Sequence, residues 1–202
     1  MTANAREAIL AAARRTAQAH GYSGLNFRDL AEAVGIKSAS IYYHFPSKAD
    51  LGAAVARRYW EDAAAVLEKL SADNADPLHC LQEFPNTFRR SLVSDNRLCL
   101  GSFMAAEHDD LPDEVKREVQ AFADVNVAWL GRLLVAAGIV SEKLREPRAR
   151  AIFAAVAGAQ LIARSRHDLA LFDAIIADYR AAGLLPGAPT RRPVSRARAR
   201  RA

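Results

Sequence analysis

Between Leu25 and Leu51 the chain reads LNFRDLAEAVGIKSASIYYHFPSKADL, two short segments of helical period divided by Gly35. Asn26 can cap the first, Phe27 to Val34, whose Leu30 and Ala31 face inward. Gly35 permits a sharp turn, and a second segment, Ser38 to His44, follows and ends before Pro46. Ala31 is small enough to let the two helices approach, while Val34, Ile36 and Ile41 supply the core between them. Two short helices about a Gly-containing turn are the signature of a helix-turn-helix, whose second helix lies in the major groove of DNA and whose first crosses the backbone. Ser38, Ser40, Tyr42, Tyr43 and His44 place hydrogen-bonding groups on an exposed turn, which a merely structural helix of this length would not need.

Helical patterning extends over the rest of the chain. Alanine makes up 43 of the 202 residues and strand-favouring residues are modest in number, so an all-α fold of about nine helices is expected. Helix one starts near Ala5 and stops at Gly21, where a left-handed cap fits. Ser47, with Asp50 three residues on, begins a long fourth helix from Lys48 to about Leu70, and Ser71 to Asp76 is the expected break. A fifth helix follows Pro77 and should kink at Pro85. A sixth begins near Arg97, Pro112 opens a seventh that Gly138 closes, Pro147 lies in the first turn of an eighth, and Asp168 caps a ninth that ends at Gly183.

The formal net charge of +5 is concentrated at the two ends. Residues 1–50 carry a small basic excess, residues 51–186 are slightly acidic, and GAPTRRPVSRARARRA, residues 187–202, holds six arginines and no acid. That tail lacks periodicity and is expected to be disordered, either solvated or in auxiliary contact with a polyanion.

Several function classes lose support. The longest uncharged run, Ala151 to Ala163, is thirteen residues, short of the roughly 18 a membrane span needs, so no membrane partner is expected. Glu7, Arg14 and Arg15 interrupt any signal-peptide core, and Cys80 and Cys99 make no disulfide framework, so a cytoplasmic setting is expected. Glu107, His108, Asp109 and Asp110 lack metal-ligand spacing and read as a solvated helix end. With no phosphate-cradling glycine loop and no serine elbow, neither an enzyme nor a cofactor is expected.

The segment from about residue 5 to 52 resembles the DNA-binding domain of the tetracycline-repressor-type (TetR) family of bacterial transcriptional regulators. The family pattern of Tyr, a variable residue, His and Phe, then Pro-Ser-Lys and an acid before Leu, falls on Tyr42, Tyr43, His44, Phe45, Pro46, Ser47, Lys48, Asp50 and Leu51. Lys37 departs from it, standing where many members carry a Ser or Thr cap; cap duty is expected to pass to Ser38, leaving Lys37 free to reach phosphate or guanine. The resemblance implies that Arg28, Lys37, Ser38, Ala39 and Tyr42 face base edges while Ser40, Tyr43, His44 and Lys48 hold phosphates. Arg28 has the donors to read a guanine bidentately, and Ala39 can pack on a thymine methyl.

The resemblance also implies an effector cavity among helices four to seven, for which Trp60, Phe84, Phe88, Cys99, Phe103, Met104, Phe122 and Trp129 are candidates. Each is otherwise an ordinary core residue. The stretch RLCLGSFMAAEHDDLP is similar to a TetR subgroup in which some members sense electrophiles through a Cys at this position. Cys99 is therefore either such a sensor, with Arg97 as a nearby cation, or an inert buried thiol. On helix eight the small residues Ala151, Ala155, Gly158 and Ala159, with Ile162 beside them, suit either a dimer interface or packing within one subunit.

The expected protein is thus a homodimeric regulator, most simply a repressor. Residues 1–50 would bind a near-palindromic double-stranded DNA operator, and residues 51–186 a small-molecule effector and the second subunit. A constitutive DNA-binding or architectural protein without a ligand switch is the alternative.

Overall fold

In a computed structural model, which describes residues 2–187, the regular elements are all helical. In chain order they are α1 (Thr2–His20), α2 (Phe27–Val34), α3 (Ser38–His44), α4 (Lys48–Asp73), α5 (Pro77–Val93), α6 (Leu100–Ala106), α7 (Asp113–Ala136), α8 (Arg145–Ser165) and α9 (Leu169–Ala181), with single 3-10 turns at His108–Asp110 and Glu142–Leu144. The arginine-rich tail expected to be disordered lies outside the described residues from residue 188 onward.

Three helix starts follow the capping chemistry read from sequence. Asn26 accepts from the Arg28 and Asp29 N–H groups at 2.8 and 3.3 Å, Ser47 from Asp50 N–H at 3.0 Å, and Asp168 from Leu171 N–H at 3.0 Å. Each satisfies donors that a helix otherwise leaves open and contributes about 1 kcal/mol. The start of α3 differs. Lys37 occupies its cap position and no side chain caps it, Ser38 included.

Other boundaries move because tertiary contacts override local signals. α4 continues through Ser71 to Asp73 because the Trp129 indole N–H, arriving from α7, is shared between the Leu67 carbonyl and the Ser71 hydroxyl at 3.0 Å each. α5 runs through Pro85 as one helix. α6 begins at Leu100 rather than near Arg97, since Cys99 stands at its cap and its sulfur accepts from the Ser102 N–H.

α1, α2 and α3 pack with the start of α4 around Ile9, Leu30, Ile41, Phe45 and Leu51, all buried. The larger body is built on α7, which lies against α4, α5, α6 and α8. By length and composition α7 is apolar enough to cross a membrane, with mean hydropathy 1.2 over its best window, a property that uncharged runs alone did not disclose. Here its Val115, Phe122, Trp129, Leu130 and Leu134 fill the centre of the bundle. Phe84 stacks on Trp129 at 5.9 Å between ring centres, and Phe88 meets Phe122 and Phe153 at 6.4 and 6.0 Å. Such pairs add about 0.5 to 1.5 kcal/mol each beyond area burial. Buried Gln160 on α8 joins three helices, its amide donating to the Phe88 carbonyl at 2.7 Å and accepting from the Cys99 N–H at 3.0 Å.

Candidate functional site

Gly35 adopts φ 73°, ψ 35°, and its N–H closes on the Ala31 and Glu32 carbonyls. This left-handed cap, a conformation glycine enters without a Cβ penalty, turns the chain so that α3 crosses α2. Ile41 is buried between them, which leaves the opposite side of α3 open: Ala39, Tyr42 and Tyr43 are exposed, the two tyrosines at 56% and 76%. Arg28 and Lys37 are exposed as well, and Ser38, Ser40, His44 and Lys48 are half-buried.

An open groove of about 460 Å³ brings Arg28, Ser38, Tyr42 and Lys48 together with Leu25, Asn26 and Phe27. Tyr42 leans edge-on against Phe27 at 4.7 Å, so a residue of α2 sets the direction of the Tyr42 ring. Phe27 was absent from the sequence-derived set because its spacing from Tyr42 does not show that they touch. Lys48 has a role inside the fold: its Nζ donates to the Ser23 carbonyl at 3.0 Å and lies 4.8 Å from the Tyr22 ring centre. An ammonium has three donors, so this bond leaves others for a phosphate.

A second feature is a cavity of about 280 Å³ bounded by α1, α4, α5, α7 and the turn before α6. Of the eight residues expected there, Phe88, Cys99 and Phe122 line it. Phe84, Met104 and Trp129 are instead fully buried packing residues. Trp60 is tied by its indole N–H to Glu118 at 2.8 Å, and Phe103 lies under the Arg164 guanidinium at 5.1 Å. The wall includes polar groups that sequence reasoning did not place there, among them Arg14, Arg90, Ser91, Ser94 and Asn126.

Cys99 differs from a poised nucleophile. It is buried, its thiol donates to the Ser102 hydroxyl at 2.8 Å, and burial pushes its pKa up to about 11. Arg97, the cation expected to favour a thiolate, binds the Arg15 carbonyl and the Asp95 carboxylate instead, at 3.3 and 3.2 Å.

The two parts of the molecule meet at the α1–α2 connection. Glu107 accepts from the Tyr22 N–H at 2.6 Å, the Ser23 N–H at 3.2 Å and the Ser23 hydroxyl at 2.9 Å. Gly21, at φ 71°, lies so close to this carboxylate that a Cβ would overlap it. Glu107 is therefore a structural tie; of the expected solvated cluster, only His108, Asp109 and Asp110 are exposed. Arg14 of α1 also pairs with Asp62 of α4 at 2.7 Å.

On α8, Ala151, Leu161 and Ile162 are exposed, and the space beside Gly158 is open. Ala155 is half-buried. Ala159, expected on this face, is fully buried inside the protomer with Ile152, Val156 and Ala163. Eight residues from Ala151 the helix has turned by about 80°, enough to bring position 159 onto the inward side.

The model of the family described as "Bacterial regulatory proteins, tetR family" matches residues 9–55. The HTH-type transcriptional repressor AcnR of Corynebacterium glutamicum is 44% identical over 68 residues, 34% of this chain and 35% of that protein; the chain thus matches only about a third of the length of these curated relatives. A TetR transcriptional regulator from Legionella pneumophila superposes with a TM-score of 0.81 at 31% identity, covering 87% of this chain and 95% of that one. The chain belongs to the TetR family. A TetR-family regulator from Agrobacterium tumefaciens, 28% identical, gives a TM-score of 0.84 over 93% of this chain and 100% of its own.

Within this TetR-family chain, the curated match is local while the structural likeness is global. The groove and the α2–α3 turn lie inside the segment that the family model covers; the cavity wall beyond Tyr59 lies outside it.

Proposed function

We propose that this TetR-family chain is a transcriptional repressor that binds double-stranded operator DNA as a homodimer and releases it when a small molecule occupies the cavity. The observation that carries the reading is the groove in which Arg28, Ser38, Tyr42 and Lys48 converge beside the exposed side of α3. Arg28 and Tyr42 supply donors for base edges, and the phosphate contacts of Ser40, Tyr43, His44 and Lys48 set register. The name of the AcnR relatives supports repression.

One short recognition helix discriminates weakly, so two copies related by a two-fold axis reading half-sites about 34 to 36 Å apart, or a multiple of that, give the needed specificity. The stripe of exposed Ala151, Leu161 and Ile162 on α8, beside half-buried Gly158, is the proposed contact between copies. A cavity of about 280 Å³ supports a ligand switch over a constitutive DNA-binding protein. Its occupant is a reversible ligand in this reading, because the Cys99 thiol stays protonated near neutral pH. Movement of α4 and α6 passes to the reading helices through Lys48, Glu107 and the Tyr22–Ser23 backbone. Such coupling amounts to about 1 to 3 kcal/mol in typical cases, and near-complete release needs about 5.5.

Footprinting on the DNA upstream of the chain's own gene tests the proposal. Protection of a near-palindromic site that weakens as salt rises is expected; uniform protection without sequence preference would overturn it.

A further inference from the structure

The cavity wall is uneven in charge. Three arginines face it, Arg14 from α1, Arg90 from the end of α5 and Arg97 from the turn that follows, against the one carboxylate of Asp62. Asp62 is already engaged twice, by Arg14 at 2.7 Å and by Arg58 at 3.1 Å. Arg97 holds Asp95, whose side chain is 79% exposed and thus weakly competitive with a better anion. The Arg90 guanidinium has no carboxylate partner among the described residues. The cavity is therefore left with positive charge that no carboxylate among the described residues neutralises. The rest of the wall includes Tyr59, whose ring lies 4.8 Å from the Arg14 guanidinium, with Leu67, Phe88 and Phe122, an apolar and aromatic surface.

A guanidinium beside low-dielectric side chains attracts an anion far more strongly than one in open water, and its planar fork matches a carboxylate through two parallel hydrogen bonds. The aromatic surface removes apolar ligand atoms from water at about 25 cal/mol per Å². The volume is at the small end for ligand pockets, which disfavours a phosphorylated sugar or nucleotide with no apolar body. We propose that the cavity takes a small organic carboxylate with an apolar body, its charge held by Arg90 and Arg97 and its body against Phe88 and Phe122. This rests on the cavity being the effector site. The same anion lies beside the Arg14–Asp62 pair that joins α1 to α4, so its arrival competes for Arg14 and loosens that tie.

Calorimetric titration of the full chain without DNA tests the assignment, with hexanoate, phenylacetate and 3-phenylpropanoate as probes against their primary amides and inorganic phosphate. At least one carboxylate binds, its amide binds about tenfold more weakly or not at all, and Arg90→Gln, at an exposed position, weakens the carboxylate by a similar factor with an unchanged melting temperature. Absence of binding by all three carboxylates at millimolar concentration, equal binding of the amides, tighter binding of phosphate, or an unaffected Arg90→Gln variant would overturn it. A parallel measurement of DNA release separates the two readings: carboxylate binding that leaves the DNA complex intact upholds the carboxylate site and overturns the effector role.

Discussion

The Glu107 carboxylate, just past the end of α6, accepts a hydrogen bond from the backbone N–H of Tyr22 at 2.6 Å. Tyr22 precedes the helix-turn-helix, so a side chain from the larger body holds the main chain that leads into α2. The Tyr22 ring packs against Gly52 of α4, where a Cβ would come within 2.6 Å of it, and the Lys48 ammonium covers its face. Glu107 beyond α6 and two residues of α4 thus grip one short connection.

Glu107→Ala should remove this grip. Hydrogen bonds to charged groups contribute about 1.5 to 3 kcal/mol; with part of the site exposed, a loss of about 2 kcal/mol is expected by urea denaturation. DNA binding should persist while ligand-induced release is blunted. Full retention of release would show that the tie does not carry the signal.

Glu118 on α7 gives the stability a pH signature. The Arg57 guanidinium donates to it at 2.5 Å and the Trp60 indole at 2.8 Å, and chiefly through the Arg57 hydrogen bond the carboxyl is held below its usual range despite burial. A carboxylate depressed in the folded state stabilises fully above its unfolded pKa, about 4.3, and loses that contribution as pH falls through the lower folded value. Glu118→Gln should lower the urea midpoint at neutral pH, and the gap to wild type should narrow below about pH 4. A constant gap across that range would show that the pair does not titrate as described.

How much of this was legible in the sequence varies with the range of the interactions involved. α2 and α3 were readable to the residue because Asn26, Gly35 and Pro46 act within a few positions of their own. The end of α4 was not, since Ser71 is kept helical by Trp129 arriving from a helix far along the chain. In the helix-turn-helix, the exposed residues followed from family pattern and periodicity, whereas the Phe27 support for Tyr42 needed the crossing of two helices. The cavity was legible only as an aromatic inventory. Phe84 and Trp129 stack on each other and fill the core, while the arginines lining the space come from separate elements and share no sequence motif.

Thiol labelling distinguishes a sensor from a packed cysteine. With a pKa of about 11, Cys99 is thiolate to about one part in ten thousand near neutral pH, and Cys80 is buried too, its thiol pushed up by burial. Ellman's reagent should find neither thiol reactive in the native chain and both after denaturation. Cys99→Ser should leave any ligand response intact. Fast labelling of Cys99, or a quinone response lost in Cys99→Ser, would restore the sensor reading.

The α8 stripe predicts assembly. Leu161 and Ile162 are 56% and 46% exposed, so replacing both with Glu should scarcely affect folding by circular dichroism yet yield monomers by light scattering. A variant that remained dimeric would place the contact elsewhere.

The claim that α2 and α3 read DNA is tested most directly by fluorescence anisotropy on duplexes selected by the full chain from a random pool. A two-fold symmetric consensus is expected, with tight, salt-sensitive binding that the combined Arg28→Ala and Tyr42→Ala substitutions reduce by at least about a hundredfold while the melting temperature holds, given about 1 to 3 kcal/mol for a base-reading contact. Selection of no consensus, or wild-type affinity and salt slope in the double variant, would contradict it.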